Sequence, residues 1–326
     1  TGWYTGEGMT QLMLANDPYQ FHSDYWTKID PYKYPGTTVD TQKRTAHTID
    51  TGQAFVKDYD DVGGVSLKGE YSVSAQHLNA FHLDKEIVQS TGNVIHPHTS
   101  TLTARKAWFC FDNEVVCLGS AVNANDGYEV LTVVENRKPT GSITSDGYIL
   151  SLSEEETDLS GNSWVHIENT AGYFFPEGGR VGARQTEEEV SFFQLWLSHG
   201  INPVNQGYSY VILPAMTAEE TAEYAENPGI SILCNTDEVQ AVADKSTGAV
   251  GIVFHKAGSL GGITVSKPMA LMLREKDGIL EISAADTTHK LTNAEISLDR
   301  ALGDMGKTNG RMRLSEVGKT VCIDFM

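Results

Sequence analysis

The chain has 326 residues, 40% hydrophobic and 21% charged, with 43 acidic against 24 basic side chains and a formal net charge of −19. That is room for one large or two ordinary domains, and it excludes a disordered chain. The acidity argues against a nucleic-acid partner, whose phosphates demand a basic face. It also argues against an anionic polysaccharide unless a basic cleft lies outside these residues; its plain reading is solubility.

No apolar run approaches the ~18–20 residues that span a bilayer, so no membrane partner is expected. The chain opens on Thr1 without a basic and then apolar leader. Its start is therefore expected to come from processing or cleavage, with any secretion leader already lost. Four cysteines (Cys110, Cys117, Cys234, Cys322) are too sparse for a disulfide framework and form no CxxC zinc pair. Buried thiols are expected, with a Cys110–Cys117 bond across a hairpin as the alternative.

The opening forty residues pack Trp3, Tyr4, Tyr19, Phe21, Tyr25, Trp26, Tyr32 and Tyr34 among Gly, Pro and Asp, with almost no aliphatic periodicity. Such a stretch makes little regular structure and a good wall. Residues 8–16 read as a short helix or an irregular apolar plug. From about residue 53 the pattern turns β, with alternation through Val65, Leu67, Tyr71 and Val73, then a polar excursion over residues 80–100. The clearest hairpin follows, residues 102–111 and 114–119 around Asp112-Asn113. Strands are predicted at residues 129–135, 148–152, 164–167 and 172–175. A further pair, residues 190–197 with 208–213, is expected to be joined by the Ser198–Gly207 connection.

One helix stands out at residues 217–225, where Thr217 and Glu220 make a capping box and Pro228-Gly229 ends the run. A domain boundary is placed here: residues 1–220 as a large sheet domain and 221–326 as a smaller one. Beyond it, short strands at residues 230–234, 238–244, 249–255, 262–265, 269–276 and 279–284 recur at sandwich-like spacing. A polar segment at residues 287–316 and a last strand at 320–326 close the layer. The fold class is all-β: a large antiparallel sheet domain followed by a smaller C-terminal β-sandwich.

Local chemical motifs are few. His96-Pro97-His98 has no third ligand at short spacing, so no metal is expected. There is no GxSxG elbow, and Gly63-Gly64 and Gly261-Gly262 precede strands, not helices, so phosphate loops fail on context and no cofactor is expected. The aromatic opening is different. Trp and Tyr faces suit sugar C–H surfaces, which makes Trp3, Tyr4, Trp26 and Tyr32 candidate substrate contacts. Interface packing is the other reading of each. Arg180 and Arg184, in what reads as a mobile Gly-rich loop, are the best-placed cations for a uronate or pyruvate carboxylate. His199, at a strand end before Gly200, is a candidate reader of substrate or a hydrogen-bonded turn residue.

Gly2-Trp3-Tyr4-Thr5-Gly6, Tyr25-Trp26, Asp30-Pro31-Tyr32 and Pro35-Gly36-Thr37-Thr38 resemble polysaccharide lyase family 8, the hyaluronate, chondroitin AC and xanthan lyases. The blocks at residues 103–119 and at Phe193–Gly200 with Tyr208–Pro214 resemble the same family's central domain. The resemblance implies an N-terminal α/α-toroid, a central antiparallel supersandwich and a C-terminal β-sandwich, of which these residues cover the last two. It implies a catalytic Asn, His, Tyr and Arg on the toroid and a supporting Glu just ahead of Thr1, so no catalytic residue is carried over to this chain. It further implies a secreted protein whose partners are an anionic polysaccharide and the toroid, cleaving by β-elimination to 4,5-unsaturated products. A non-catalytic carbohydrate-binding module is the alternative, and a glycoside hydrolase the third reading.

Overall fold

A computed structural model describes residues 5–43, 61–80, 87–88, 90, 92, 94–95, 99–186, 189–304, 306, 308, 312–314 and 320–325. His96 and His98 lie outside them. The chain divides into two units. The first comprises Thr1–Asp58, His77–Lys106 and Asn113–Pro228; the second comprises Tyr59–Gln76, Ala107–Asp112 and Gly229–Met326.

Along the chain the strands begin with β1 (Thr38–Asp40), β2 (Val62–Leu67), β3 (Tyr71–Asn79), β4 (Ile87–Val88), β5 (Val94–Ile95), β6 (Thr103–Cys110) and β7 (Val115–Asn123), of which β2 belongs to the second unit and β3 and β6 are each divided between the two. Next come β8 (Glu129–Arg137), β9 (Ile143–Ser145), β10 (Tyr148–Ile149), β11 (Thr157–Asp158), β12 (Trp164–Ile167) and β13 (Ala171–Phe174). The run closes with β14 (Arg180–Gln185), β15 (Phe193–Ile201) and β16 (Gln206–Pro214). Two sheets dominate: a five-stranded one in the order β1-β8-β15-β14-β11, and a nine-stranded one in the order β10-β9-β12-β13-β16-β7-β6-β3-β2. Every described pairing within them is antiparallel. The architecture is the all-β one read from the sequence, with β6 and β7 as neighbours. All four cysteines remain thiols.

Strand β8 is buried along almost its whole length, which requires cover on both faces. One face meets the nine-stranded sheet: the Tyr173 hydroxyl on β13 donates to Glu135 on β8 at 2.6 Å. The other is covered by the aromatic opening. Tyr25, Ile29, Tyr34 and Phe192 pack on Val39 and Val133, with Phe21, Trp26 and Tyr32 against them. Among the described residues there, α1 (Ser23–Lys28) and a single 3-10 turn are helical; residues 9–14 are irregular.

A buried ion network pins this cover down. Arg137, wholly buried, donates to Asp17 at 3.3 Å and to the Leu12 carbonyl at 3.4 Å, and stands 3.5 Å from Glu135. Lys106, also wholly buried, donates to the Glu7 carbonyl at 2.8 Å and to that of Gly36.

Two expectations are corrected. Residues 190–197 and 208–213 do not pair. β15 lies between β8 and β14 in one sheet, whereas β16 lies between β13 and β7 in the other. The connection between them is long enough to change layers, and Asn202 and Asn205 take left-handed conformations (φ 50° and 48°) to turn it. Arg180 and Arg184 also do not sit in a loop: they belong to β14, fully registered against β15.

Helix α2 (Ala218–Glu226) has the expected cap. The Thr217 side chain accepts from the Glu220 N–H at 3.2 Å, and Glu220 returns to the Thr217 N–H at 2.7 Å. In the second unit, β17 (Ile230–Asn235), β18 (Val239–Asp244) and β19 (Ala249–Phe254) precede β20 (Gly258–Leu260) and β21 (Ile263–Val265). Then come β22 (Met269–Lys276), β23 (Ile279–Ala285), β24 (Asn293–Leu298), β25 (Met312–Leu314) and β26 (Thr320–Asp324). The sheets β17-β18-β19-β22-β23 and β20-β21-β24-β26-β25 enclose a core that includes Ile252, Phe254, Leu271, Ile296 and Val321. The segment read as polar at residues 287–316 thus holds a core strand, β24, whose Ala294, Ile296 and Leu298 point inward. No described helix is long and apolar enough to cross a membrane.

Candidate functional site

Directly opposed residues of an antiparallel pair share a face. On β14 and β15 the opposed pairs are Arg180 with Ser198, Gly182 with Trp196, and Arg184 with Gln194. All six therefore lie on one face, and Trp196 in turn stands opposite Val133 of β8, under the aromatic cover. Gly182 is what lets the indole lie flat: a Cβ there would come within 2.6 Å of the ring. Only glycine at this position permits that approach.

Above the indole sits Lys33, its Nζ 3.9 Å from the ring centroid, a cation–π contact. The turn that delivers it is held by Asp30, which accepts from the Tyr32 N–H at 2.9 Å on its side chain and from the Lys33 N–H at 3.1 Å on its carbonyl. The same Asp30 carboxylate lies 3.6 Å from Arg184, whose Nε donates to Gln194 at 2.7 Å. Burial, and then the neighbouring Arg184 charge, push the Lys33 ammonium down to about 8. At the other end Arg180 is exposed beside Gly200, and Ser198 donates to Glu129. The two arginines are four residues apart on one strand, so their Cα atoms stand about 13 Å apart. The result is a stripe of three cations across one indole, with planar guanidinium groups suited to carboxylates.

The structure brings some candidate residues to this stripe and sends others elsewhere. Arg180 and Arg184 are on it, and Tyr32 is in the turn that carries Lys33. Trp26 is half-buried in the adjoining cluster. Its Nε1 donates to the Phe21 carbonyl at 3.2 Å, and its ring meets Tyr25 edge-on at 5.2 Å. Trp3 and Tyr4 lie outside the described residues.

His199 is on the opposite side of the sheet, between the layers. Its Nε2 is 2.8 Å from the Thr132 hydroxyl, and its ring centroid is 5.7 Å from that of Tyr208 on β16. Burial, with a smaller contribution from the Lys106 charge, pushes its imidazole down to about 4, so it is neutral through the physiological range.

Residue-by-residue reading missed Lys33, Asp30, Gln194 and the role of Trp196. The available signal was the alternation Arg180-Val-Gly-Ala-Arg184 opposite Gln194-Leu-Trp-Leu-Ser198. Once the two segments pair, that alternation puts every polar or aromatic member on one face.

Comparison with known proteins matches residues 1–225 to the super-sandwich domain of polysaccharide lyase family 8 and residues 231–295 to that family's C-terminal β-sandwich domain. A xanthan lyase of Bacillus sp. strain GL1 is 34% identical over 92% of this chain, which covers 33% of that relative. A hyaluronate lyase of Thermasporomyces composti is 28% identical over 99% of the chain, covering 42% of it. Among solved structures, Paenibacillus xanthan lyase superposes with a TM-score of 0.85 at 28% identity, over 99% of this chain and 32% of that one. The Streptomyces coelicolor A3 chondroitin AC lyase in complex with chondroitin sulphate gives 0.80 at 26% identity, over 99% and 42%. The chain thus spans about a third to two fifths of the length of these four relatives. It belongs to polysaccharide lyase family 8, of which it carries the super-sandwich and C-terminal β-sandwich domains.

Proposed function

We propose that this chain is the β-portion of a secreted lyase that cleaves a uronate-containing polysaccharide by β-elimination, and that Arg180 and Arg184, flanking the buried Trp196, are part of the wall the polymer runs along. The observation that carries the reading is the stripe itself, three cations around an indole on a chain of net charge −19. The names of the relatives, which include hyaluronate, xanthan and chondroitin lyases, support the substrate class. A polymer of this size is met outside the cell, hence the secreted location.

In the proposed reaction a base removes the proton at C5 of the uronate. The C–H electrons become the C4=C5 double bond, and the C4–O bond breaks as its oxygen takes a proton from an acid. Charge builds on the carboxylate during proton loss, so neutralising donors there lower the barrier. The catalytic acid, base and carboxylate clamp are assigned to the helical domain proposed ahead of Thr1. This chain's own part is to hold the acidic sugars in register through Arg180 and Arg184, with Trp196 and Lys33 as the rigid centre.

The test is product chemistry. Full-length protein given hyaluronan, chondroitin or xanthan is expected to release unsaturated uronates that absorb in the ultraviolet, whereas residues 1–326 alone release none. Saturated products would replace a lyase by a hydrolase, and unsaturated products from residues 1–326 alone would refute the placement of the catalytic groups. Binding without turnover by the full-length protein would favour the carbohydrate-binding module.

A further inference from the structure

A second polar concavity lies on the nine-stranded sheet. Ile149 opposes Thr144, Thr144 opposes His166, and His166 opposes Gly172, so these four form one row on one face. Helix α2 closes the end of that row: a Cβ on Gly172 would come within 2.2 Å of the Thr221 hydroxyl. Between the helix start and the Glu168-Asn169 turn there remains a cavity of about 510 Å³, walled by Asn16, Thr144, His166, Glu168, Asn169 and Met216 among others. That is ample for a small ligand.

The polar atoms around it are half used. His166, 5% exposed, donates from Nε2 to the Met216 carbonyl at 3.0 Å, which leaves Nδ1 as an acceptor. Glu168 accepts at Oε2 from the Ser142 N–H at 2.9 Å and the Ser142 hydroxyl at 2.8 Å, and its Oε1 is unoccupied by any described residue. Neither the Thr144 hydroxyl nor the Asn169 side-chain amide has a partner among the described residues. Asn16 donates to the Asn169 carbonyl at 2.9 Å, which leaves its own Oδ1 open. Asn169 is held in a left-handed turn (φ 57°).

We propose that this cavity binds a neutral saccharide unit whose hydroxyls are read by Glu168 Oε1, the Asn169 amide, Thr144 and His166 Nδ1. A sugar ring offers adjacent hydroxyls that both donate and accept, which matches acceptors at Glu168 and His166 beside the mixed donor and acceptor groups of Asn169 and Thr144. Met216 and Ala215 supply apolar surface for its C–H groups. The Glu168 carboxylate repels a uronate and selects against it. The inference rests on the proposed function only in expecting the protein to meet polysaccharide at all.

The test uses full-length protein, with methyl glucoside, methyl mannoside and N-acetylglucosamine as neutral probes and glucuronate as the charged one, by titration calorimetry and saturation-transfer NMR. Thr144→Val and Asn169→Gly remove side-chain groups that bond to no described residue, so the melting temperature is expected to hold. At least one neutral probe is expected to bind, about tenfold more weakly in the double variant, and glucuronate more weakly than any neutral sugar. The proposal is overturned if no neutral probe binds, if the double variant binds it unchanged, or if glucuronate binds as tightly. Unsaturated-product release, measured in parallel, separates the two readings: product without neutral-sugar binding overturns only this site. Binding without product overturns only the lyase.

Discussion

His199 was a candidate substrate reader, and its surroundings make a quantitative prediction about acid stability. The imidazole is held between the layers by Thr132 and Tyr208, and burial pushes its proton affinity from 6.5 down to about 4. Between those two values the unfolded chain carries a proton on this group and the folded chain does not. Folding is therefore opposed increasingly as pH falls from 6.5 towards 4, and the loss levels off below 4. The gap corresponds to about 3 kcal/mol at its limit. His199→Gln keeps a side chain able to bond Thr132 but cannot titrate. Urea unfolding followed by tryptophan fluorescence between pH 7 and pH 4 is the assay. The variant is expected to lose less stability across that window than the parent, by up to about 3 kcal/mol. Parallel pH slopes for the two proteins, or an NMR titration of His199 near 6.5, would refute the interior placement of this ring.

Removing Arg137 with Arg137→Met strands the buried Glu135 beside Asp17 and is expected to cost about 3–5 kcal/mol in chemical denaturation; a loss below about 1 kcal/mol would contradict the network. Thr217→Ala deletes the capping box of α2 and is expected to cost about 1 kcal/mol by the same measurement. Lys33 loses its charge as pH rises through about 8, so affinity for an acidic oligosaccharide is expected to weaken between pH 7 and pH 9. Calorimetric titration on Lys33→Met should show that pH dependence flattened.

What was legible in the sequence is what depends on neighbours in the chain. The hairpin around Asp112-Asn113 and the Thr217–Glu220 cap each carry their signal within a dozen residues, and both stand where they were read. Layer assignment is a different kind of information. Residues 190–197 and 208–213 each look like strands, yet which sheet takes each is settled by partners far away, β8 and β14 for one and β13 and β7 for the other. Strand β24 hid for another reason: its inward Ala294, Ile296 and Leu298 alternate with Asn293, Glu295 and Ser297, so the average polarity concealed the period of two. The site followed the same division. Arg180 and Arg184 were visible as cations, but the indole between them comes from β15 and the ammonium above it from the opening turn. Only the folded sheet brings these together. Arg137, a charge that composition would put on the surface, is instead wholly buried among carboxylates.

The central claim is that this chain grips the polymer while the bond-breaking groups lie on another domain. The measurement that tests it most directly is steady-state kinetics of the full-length protein carrying Arg180→Ala with Arg184→Ala, read as KM and kcat separately on the uronate polymer proposed as its substrate. The account predicts a raised KM with kcat largely kept, as expected when binding common to ground and transition states is removed. A collapse of kcat at unchanged KM would place catalysis on this stripe and contradict it.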